Sequence, residues 1–448
     1  MFDFWIFAFA FGTSLLLCSI AVARPEWFLN REHMFLDLSA KQAQHTRPTP
    51  RVGGAAVIIA VGLVGALVAD QLGRDLILAL LAGLIVFAAG LREDILRDVS
   101  PKIRLLAAFL AGAAAVALTG QTVPGLGVVQ TDYLFGGVGV GLLVTLLWSA
   151  GSCHALNLMD GLNGLASGYT LCAAAGFWVI AGYTGDTDIQ IVAEILIAAV
   201  LGFFVLNWPL GRIFMGDAGA YAIGHVLAWL GILLIARNPE VAGFAVLLIM
   251  FWPVGDTIFS MIRRRLRRKA TDQPDRLHFH HLIVRALPLV LRRGVQKSQD
   301  NSVATIVIVP LFAAPIIAGV WFWDDGLEAL FLLMFFTMLF IGTYAFSIDY
   351  FASRRFRRHE GRRVVQIPGM TGEAELSWLS GIFVQDAKAI DVRIARAGPE
   401  APWTLITSAA GVSDLYWDGE FETDMDAWQA FLRVAEDQGM RAVMGRAA

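Results

Sequence analysis

The stretch SCHALNLMDGLNGLASG, Ser152–Gly168, lies between two long apolar runs, and its reading decides the fold. It presents His154, Asn157, Asp160 and Asn163 at three-residue intervals, followed by glycines at 164 and 168. An aspartate drawn to the centre of a bilayer costs about 2.5–3.5 kcal/mol. Such a segment therefore belongs at a water boundary between two membrane spans, with its polar side facing a cleft.

The whole chain agrees with that reading. Of its 448 residues, 57% are hydrophobic and 16% charged, with a mean hydropathy of +0.62. A soluble domain carries about 25% charged residues, so the composition indicates a polytopic membrane protein. The net charge of −3 says little about partners because the charges are segregated. Cys18, Cys153 and Cys172 have no paired spacing, which argues against a disulfide framework or a cysteine zinc site. The first apolar run is too long for a signal peptide and reads as a span.

A spanning helix needs about 17–25 mainly apolar residues. Eleven candidates result, near 3–23, 51–70, 75–91, 103–120, 136–151, 162–183, 189–207, 216–236, 240–262, 303–323 and 327–348. The loops on one side, with the start of the tail at 352–363, hold 27 of the 35 lysines and arginines, and the opposite loops hold only Arg74 and Arg237. The positive-inside rule makes the rich side cytoplasmic, with the N-terminus outside and the C-terminus inside. The expected fold class is thus all-α polytopic with about eleven transmembrane helices. Residues 1–350 form the membrane domain. Residues 351–448 are polar, with β-like runs (GIFVQD, DVRIARA, WTLIT) and one amphipathic helix around DAWQAFLRVAEDQ, so they form a small cytoplasmic α/β appendage without a chemical motif.

The motif-like segments all fall on the basic side: HTRPTPRVGG (45–54), GLREDILRDVSPKIRL (90–105), the opening stretch, GRIFMGDAGAYAIG (211–224), and PVGDTIFSMIRRRLRRKATDQPDRLHFHHL (253–282). A transporter needs polar groups along its whole path; an enzyme joining a soluble and a membrane-bound substrate needs them at one interface. In this order the five segments resemble the polyprenyl-phosphate N-acetylhexosamine-1-phosphate transferase family over roughly residues 1–350, closer to its N-acetylglucosamine branch than to the muramyl-pentapeptide branch. The resemblance implies a bacterial inner-membrane enzyme that moves a sugar-1-phosphate from a UDP-sugar to undecaprenyl phosphate, with Mg²⁺ (or Mn²⁺) and release of UMP. It implies membrane lipids as surroundings, no nucleic-acid partner, and is compatible with a homodimer. A secondary transporter of an anionic lipid or nucleotide-sugar is the alternative, motivated by Glu194, His225 and Asp256 within spans.

Phosphoryl transfer asks a protein for positioning and charge neutralisation. Asp217, a carboxylate between glycines in FMGDAG, is the first candidate metal ligand and Asn157 the second, as the resemblance implies; the lesser alternative for Asp217 is a helix N-cap. Glu93 and Asp94 follow an apolar span where relatives show two aspartates, with the spacing to Lys102 one residue longer. Their roles as metal holder, base or positioner stay open. Asn157 and Asp160 share a helix face. Asp160 is a catalytic candidate, and resemblance places Asn163 by the uracil. His154 stands where relatives carry asparagine. In the last motif no cysteine or nearby acidic triad completes a tetrahedral zinc site; the resemblance places this loop over the sugar diphosphate and implies that Arg276, His278, His280 and His281 contact phosphate and sugar. Arg51 is either a phosphate clamp or a topology anchor.

Overall fold

A computed structural model of the protein describes residues 3–27, 49–136, 138–266, 278–290, 297–359, 364–365, 374–377, 379–385, 388–398, 400–409 and 414–437. The chain divides into two compact units, Met1–Gly342 and Thr343–Ala448.

The main helices up to residue 359 are α1 (Phe4–Ala23), α2 (Gly53–Leu67), α3 (Arg74–Ala82), α4 (Leu84–Leu96), α5 (Pro101–Thr119), α6 (Val138–Met159), α7 (Leu165–Thr184), α8 (Thr187–Asn207), α9 (Gly216–Arg237), α10 (Gly243–Ile249), α11 (Phe251–Leu266), α12 (Phe279–Val290), α13 (Lys297–Trp321) and α14 (Gly326–His359), the last beginning in the first unit and ending in the second. Among the described residues nine helices, counting α3 with α4, are long and apolar enough to cross a bilayer. The polytopic helical architecture is as expected, with differences in three spans. The one expected at 240–262 is broken at Met250, where α10 and α11 meet at 80°. The one expected at 51–70 is a helix of only 15 residues. The one expected at 136–151 continues to Met159, so half of the opening stretch is helix rather than loop. Counting apolar residues ends that helix too early, because the polar side chains of its last turns are packed against α9, where Asn157 bonds Asp217 and His154 lies against Tyr221.

α9 is the central element, and its residues from Gly216 to Ile235 are all buried. It packs against α2, α4 and α6. Small residues allow this crowding: a Cβ on Gly54 of α2 would lie 2.2 Å from Gly219 Cα, and one on Gly90 of α4 would lie 2.7 Å from Ala218 Cα. The start of α2 is also laced to the chain entering α9. Gly53 and Gly54 donate N–H to Phe214 and Met215 carbonyls at 2.9 and 2.8 Å, and Phe214 N–H donates to Pro50 at 2.9 Å. These bonds set Arg51 beside the first turn of α9. At the other end of the bundle Arg237 spans three helix starts and ends, pairing with Asp75 at 3.0 Å and with Asp188 at 2.9 Å.

The second unit holds an antiparallel sheet of β1 (Val364–Val365), β2 (Ala374–Leu376), β3 (Gly381–Gln385), β4 (Lys388–Arg396), β5 (Thr404–Ala409) and β6 (Leu415–Tyr416) in the order β1-β2-β4-β5-β6, with β3 also paired to β4. Alternate residues Ile390, Val392 and Ile394 of β4 point to one face. They pack on Ala427, Phe431 and Ala435, the i, i+4, i+8 stripe of α15 (Asp424–Asp437). The expected strands and helix are present.

Candidate active site

The polar motifs meet around the first turn of α9. Gly216 has φ +75°, a left-handed conformation that glycine adopts at no steric cost. A Cβ there would lie 2.0 Å from the Arg51 carbonyl oxygen and 2.7 and 2.9 Å from the two oxygens of Asp94. The backbone therefore turns in a space that only glycine fits, and the next residue is Asp217.

Asp217 is 7% exposed. One carboxylate oxygen accepts a short hydrogen bond from the Arg104 guanidinium; the other accepts from Asn157 Nδ2 at 3.0 Å, with Arg51 Nη2 at 4.0 Å. Asp94 reaches across from α4, its two oxygens accepting the N–H groups of Asp217 and Ala218 at 2.9 and 2.8 Å. It is thus an N-cap supplied by a different helix, satisfying donors that α9 cannot satisfy itself. Glu93 accepts from Val99 N–H at 2.9 Å and holds the loop between α4 and α5. Asp160 sits in the turn after α6, its carboxylate close to the Gly216 N–H, Arg51 and Asp217. Loss of hydration pushes its carboxyl up to about 7; Arg51 opposes the rise and Asp217 adds to it.

His154 lies on the wall of this cluster, edge-on to the Tyr221 ring at 4.9 Å and against the backbone carbonyl of Arg104. Its Nε2 is buried without a partner. Asn163 is turned toward α13 and the chain before α9: its N–H donates to Asn301 at 2.7 Å, its carbonyl accepts from Thr305 at 2.7 Å, and its side chain packs on Gly211. Its side-chain oxygen is buried without a partner. Lys102 stays exposed on the first turn of α5.

The histidine motif begins α12 and is anchored by Asp256 of the bent span. Asp256 Oδ2 lies 2.9 Å from His278 Nδ1, and Oδ1 accepts the Phe279 N–H at 3.3 Å. His280 follows, buried, with its ring against Gly161; a Cβ there would lie 2.6 Å from His280 Nε2. The motif thereby touches the Asp160 turn. Burial, reinforced by His281 and His278, holds the His280 imidazole well below its usual pKa, so it is neutral. The His280 and His281 rings lie 4.1 Å apart. Arg276 lies outside the described residues.

Arg104 is the site residue that the motif reading missed. It stands two positions past Lys102, about 200° around a helix of 3.6 residues per turn. Its phase with the buried Ala108, Ala111 and Ala115 was the available signal. The ionisable groups that motivated a transport path are engaged within the fold. Glu194 accepts the Asp3 N–H at 2.9 Å, Asp256 holds His278, and His225 bonds the Ala79 carbonyl at 2.9 Å.

Among the described residues no three His, Cys, Asp or Glu side chains form a closed metal cage. The donor set nevertheless fits a hard cation, which takes one or two protein oxygens plus substrate phosphates: Asp217 and Asn157 stand side by side at the edge of a cluster that includes two arginines.

A family model, glycosyl transferase family 4, matches residues 76–235, the run from α3 to α9 that carries Glu93, Asp94, Arg104, Asn157, Asp160 and Asp217. The probable undecaprenyl-phosphate N-acetylglucosaminyl 1-phosphate transferase of Bacillus subtilis (strain 168) is 29% identical over 251 residues, 56% of this chain and 69% of the relative. The undecaprenyl-phosphate alpha-N-acetylglucosaminyl 1-phosphate transferase of Escherichia coli (strain K12) is 27% identical over 367 residues, 79% of this chain and 95% of the relative. That of Yersinia pestis is 29% identical over 250 residues, 54% of this chain and 67% of the relative. Residues 76–235 thus match the glycosyl transferase family 4 model, and the chain is similar to curated undecaprenyl-phosphate N-acetylglucosaminyl 1-phosphate transferases.

Proposed function

We propose that this membrane protein transfers an N-acetylhexosamine-1-phosphate from a UDP-sugar to undecaprenyl phosphate, releasing UMP and starting a lipid-linked glycan. The observation that carries the reading is the convergence of Asp94, Asn157, Asp160 and Asp217 with Arg51 and Arg104 on one helix start. The named activity of the relatives favours N-acetylglucosamine as the sugar.

An oxygen of the lipid phosphate attacks the phosphorus that bears the sugar. The bond from that phosphorus to the bridging oxygen breaks, and UMP leaves with the bridging oxygen. Arg51 and Arg104 neutralise the diphosphate, aided by the positive end of α9. Asp94 holds that helix end in place, and Glu93 braces the loop that delivers Arg104. Asp160 is placed to take the proton that a phosphate monoester carries below its second pKa of about 6. Mg²⁺, or Mn²⁺ in its place, would be held by Asp217 and Asn157 and would supply charge neutralisation on the phosphates. His278, His280 and His281 line the side next to Asp160, where the sugar diphosphate would lie. The segregation of 27 of 35 basic residues supports a cytoplasmic site in a bacterial inner membrane.

The test is UMP release by purified protein given undecaprenyl phosphate, Mg²⁺ and a panel of UDP-N-acetylglucosamine, UDP-N-acetylgalactosamine and a UDP-deoxyamino sugar. UDP-N-acetylglucosamine is expected to be turned over fastest. Absence of UMP with every donor would refute the transfer reaction.

A further inference from the structure

His225 is wholly buried in α9, eight residues past Asp217 and so about 12 Å along the helix. The mechanism above does not use it. It faces the interruption between α3 and α4. There Gly83 N–H turns to the Leu80 carbonyl at 3.0 Å, which leaves the Ala79 carbonyl without its usual partner four residues on. His225 Nε2 takes that carbonyl at 2.9 Å. A carbonyl only accepts, so Nε2 carries the proton and Nδ1 is the acceptor. Ser149 Oγ lies 3.5 Å from Nδ1 and itself accepts the Trp229 indole N–H at 3.1 Å. The imidazole is thereby oriented from both sides. A Cβ on Gly83 would lie 2.7 Å from His225 Cδ2, so ring and interruption fit only each other.

The same span carries Asp94 at its far end. α4 thus touches α9 at Gly90 against Ala218 and through Asp94 on the N–H groups of Asp217 and Ala218. The third point, one helix earlier, is His225 on Ala79. A helix whose backbone bonding is reset at Gly83 changes both the phase and the rise of every residue beyond it. We infer that His225 is a positioning residue for the transfer reaction: by holding the Ala79 carbonyl it keeps the 74–96 span interrupted at Gly83, in the register that aims Asp94 at the start of α9. Without the imidazole, Ala79 regains the Gly83 N–H as a partner and Asp94 loses its aim.

This rests on the proposed transferase activity, and wild-type UMP release is the control that separates the two. If wild type releases no UMP, the activity reading fails. If wild type turns over and His225→Leu matches it, this inference fails. The expected result for His225→Leu is a fall in kcat of about tenfold or more, as for loss of a buried polar partner, with KM for both substrates within about twofold. His225→Gln, which keeps a donor at similar reach, should recover most of the lost kcat. In an Asp94→Asn background His225→Leu should cost less than about twofold further, because residues acting through one contact are not additive. A role confined to stability would leave kcat per folded molecule unchanged, and an effect on turnover independent of Asp94 would give multiplicative losses in the double variant; either outcome overturns the inference. Should His225→Leu fail to accumulate in the membrane, Ser149→Ala carries the test. A smaller fall in kcat that vanishes in the Asp94→Asn background supports the inference, and an unchanged kcat sinks it.

Discussion

Replacing Gly216 by alanine adds one methyl group at the point where three motifs touch. Two costs follow from the geometry. A left-handed backbone at φ +75° costs an L-residue about 1–2 kcal/mol. The added carbon would also stand 2.0 Å from the Arg51 carbonyl oxygen, which is backbone and cannot rotate away, and 2.7 and 2.9 Å from the Asp94 oxygens. Overpacking of this kind costs about 1–3 kcal/mol. The sum is about 2–5 kcal/mol. Because the strain is relieved by pushing Asp94 off the Asp217 and Ala218 N–H groups, most of it falls on the active arrangement rather than on the bundle. At 1.36 kcal/mol per tenfold, Gly216→Ala should slow UMP release by roughly 30-fold to several thousand-fold. The assay is turnover of UDP-N-acetylglucosamine with undecaprenyl phosphate and Mg²⁺, normalised to folded protein. A Gly216→Ala enzyme within about threefold of wild type would show that α9 does not begin as described, and the site geometry would fall with it.

Asp217→Ala should abolish UMP release while the protein still accumulates and melts cooperatively; near-normal turnover would remove Asp217 from the phosphate site. Arg104→Ala should lower kcat/KM by about 100-fold or more, since it leaves a buried carboxylate without its cation, whereas Lys102→Ala should change it less than about threefold; parallel kinetics of the two variants decide. Asp256→Asn weakens the anchor of His278 and the start of α12, so KM for the UDP-sugar should rise by about fivefold or more, while thermal stability changes little. Arg237→Ala leaves Asp75, Asp186 and Asp188 facing one another at the far end of the bundle. It should lower the thermal midpoint with kcat unchanged below that temperature, and a loss of kcat instead would couple the two ends.

Much of the architecture was legible because a bilayer imposes local rules. A span must supply about 20 apolar residues and satisfy its own backbone. The positions of α1, α7, α8, α9 and α13 are therefore written in hydropathy alone, and the alternation of Ile390, Val392 and Ile394 likewise announces a strand with one buried face. Motif chemistry together with the family resemblance singled out Asp217 and Asn157, which the fold places in direct contact. What the sequence did not disclose depends on pairs far apart in the chain. Asp94 caps a helix 123 residues later, and no periodicity encodes that reach. Arg104 and Lys102 are both basic residues near one loop, and only helix phase against α9 turns one inward. The end of α6 looked like a loop because its polar residues count against a span, yet Asn157 bonds Asp217 on α9 and the His154 ring packs edge-on to Tyr221 of the same helix. The break at Met250 depends on how α10 and α11 pack, as hydropathy is continuous across it. Hydropathy and charge are properties of a segment and survive without neighbours. A hydrogen-bond partner, a helix phase or a space that only glycine fits exists only once distant segments have been packed together.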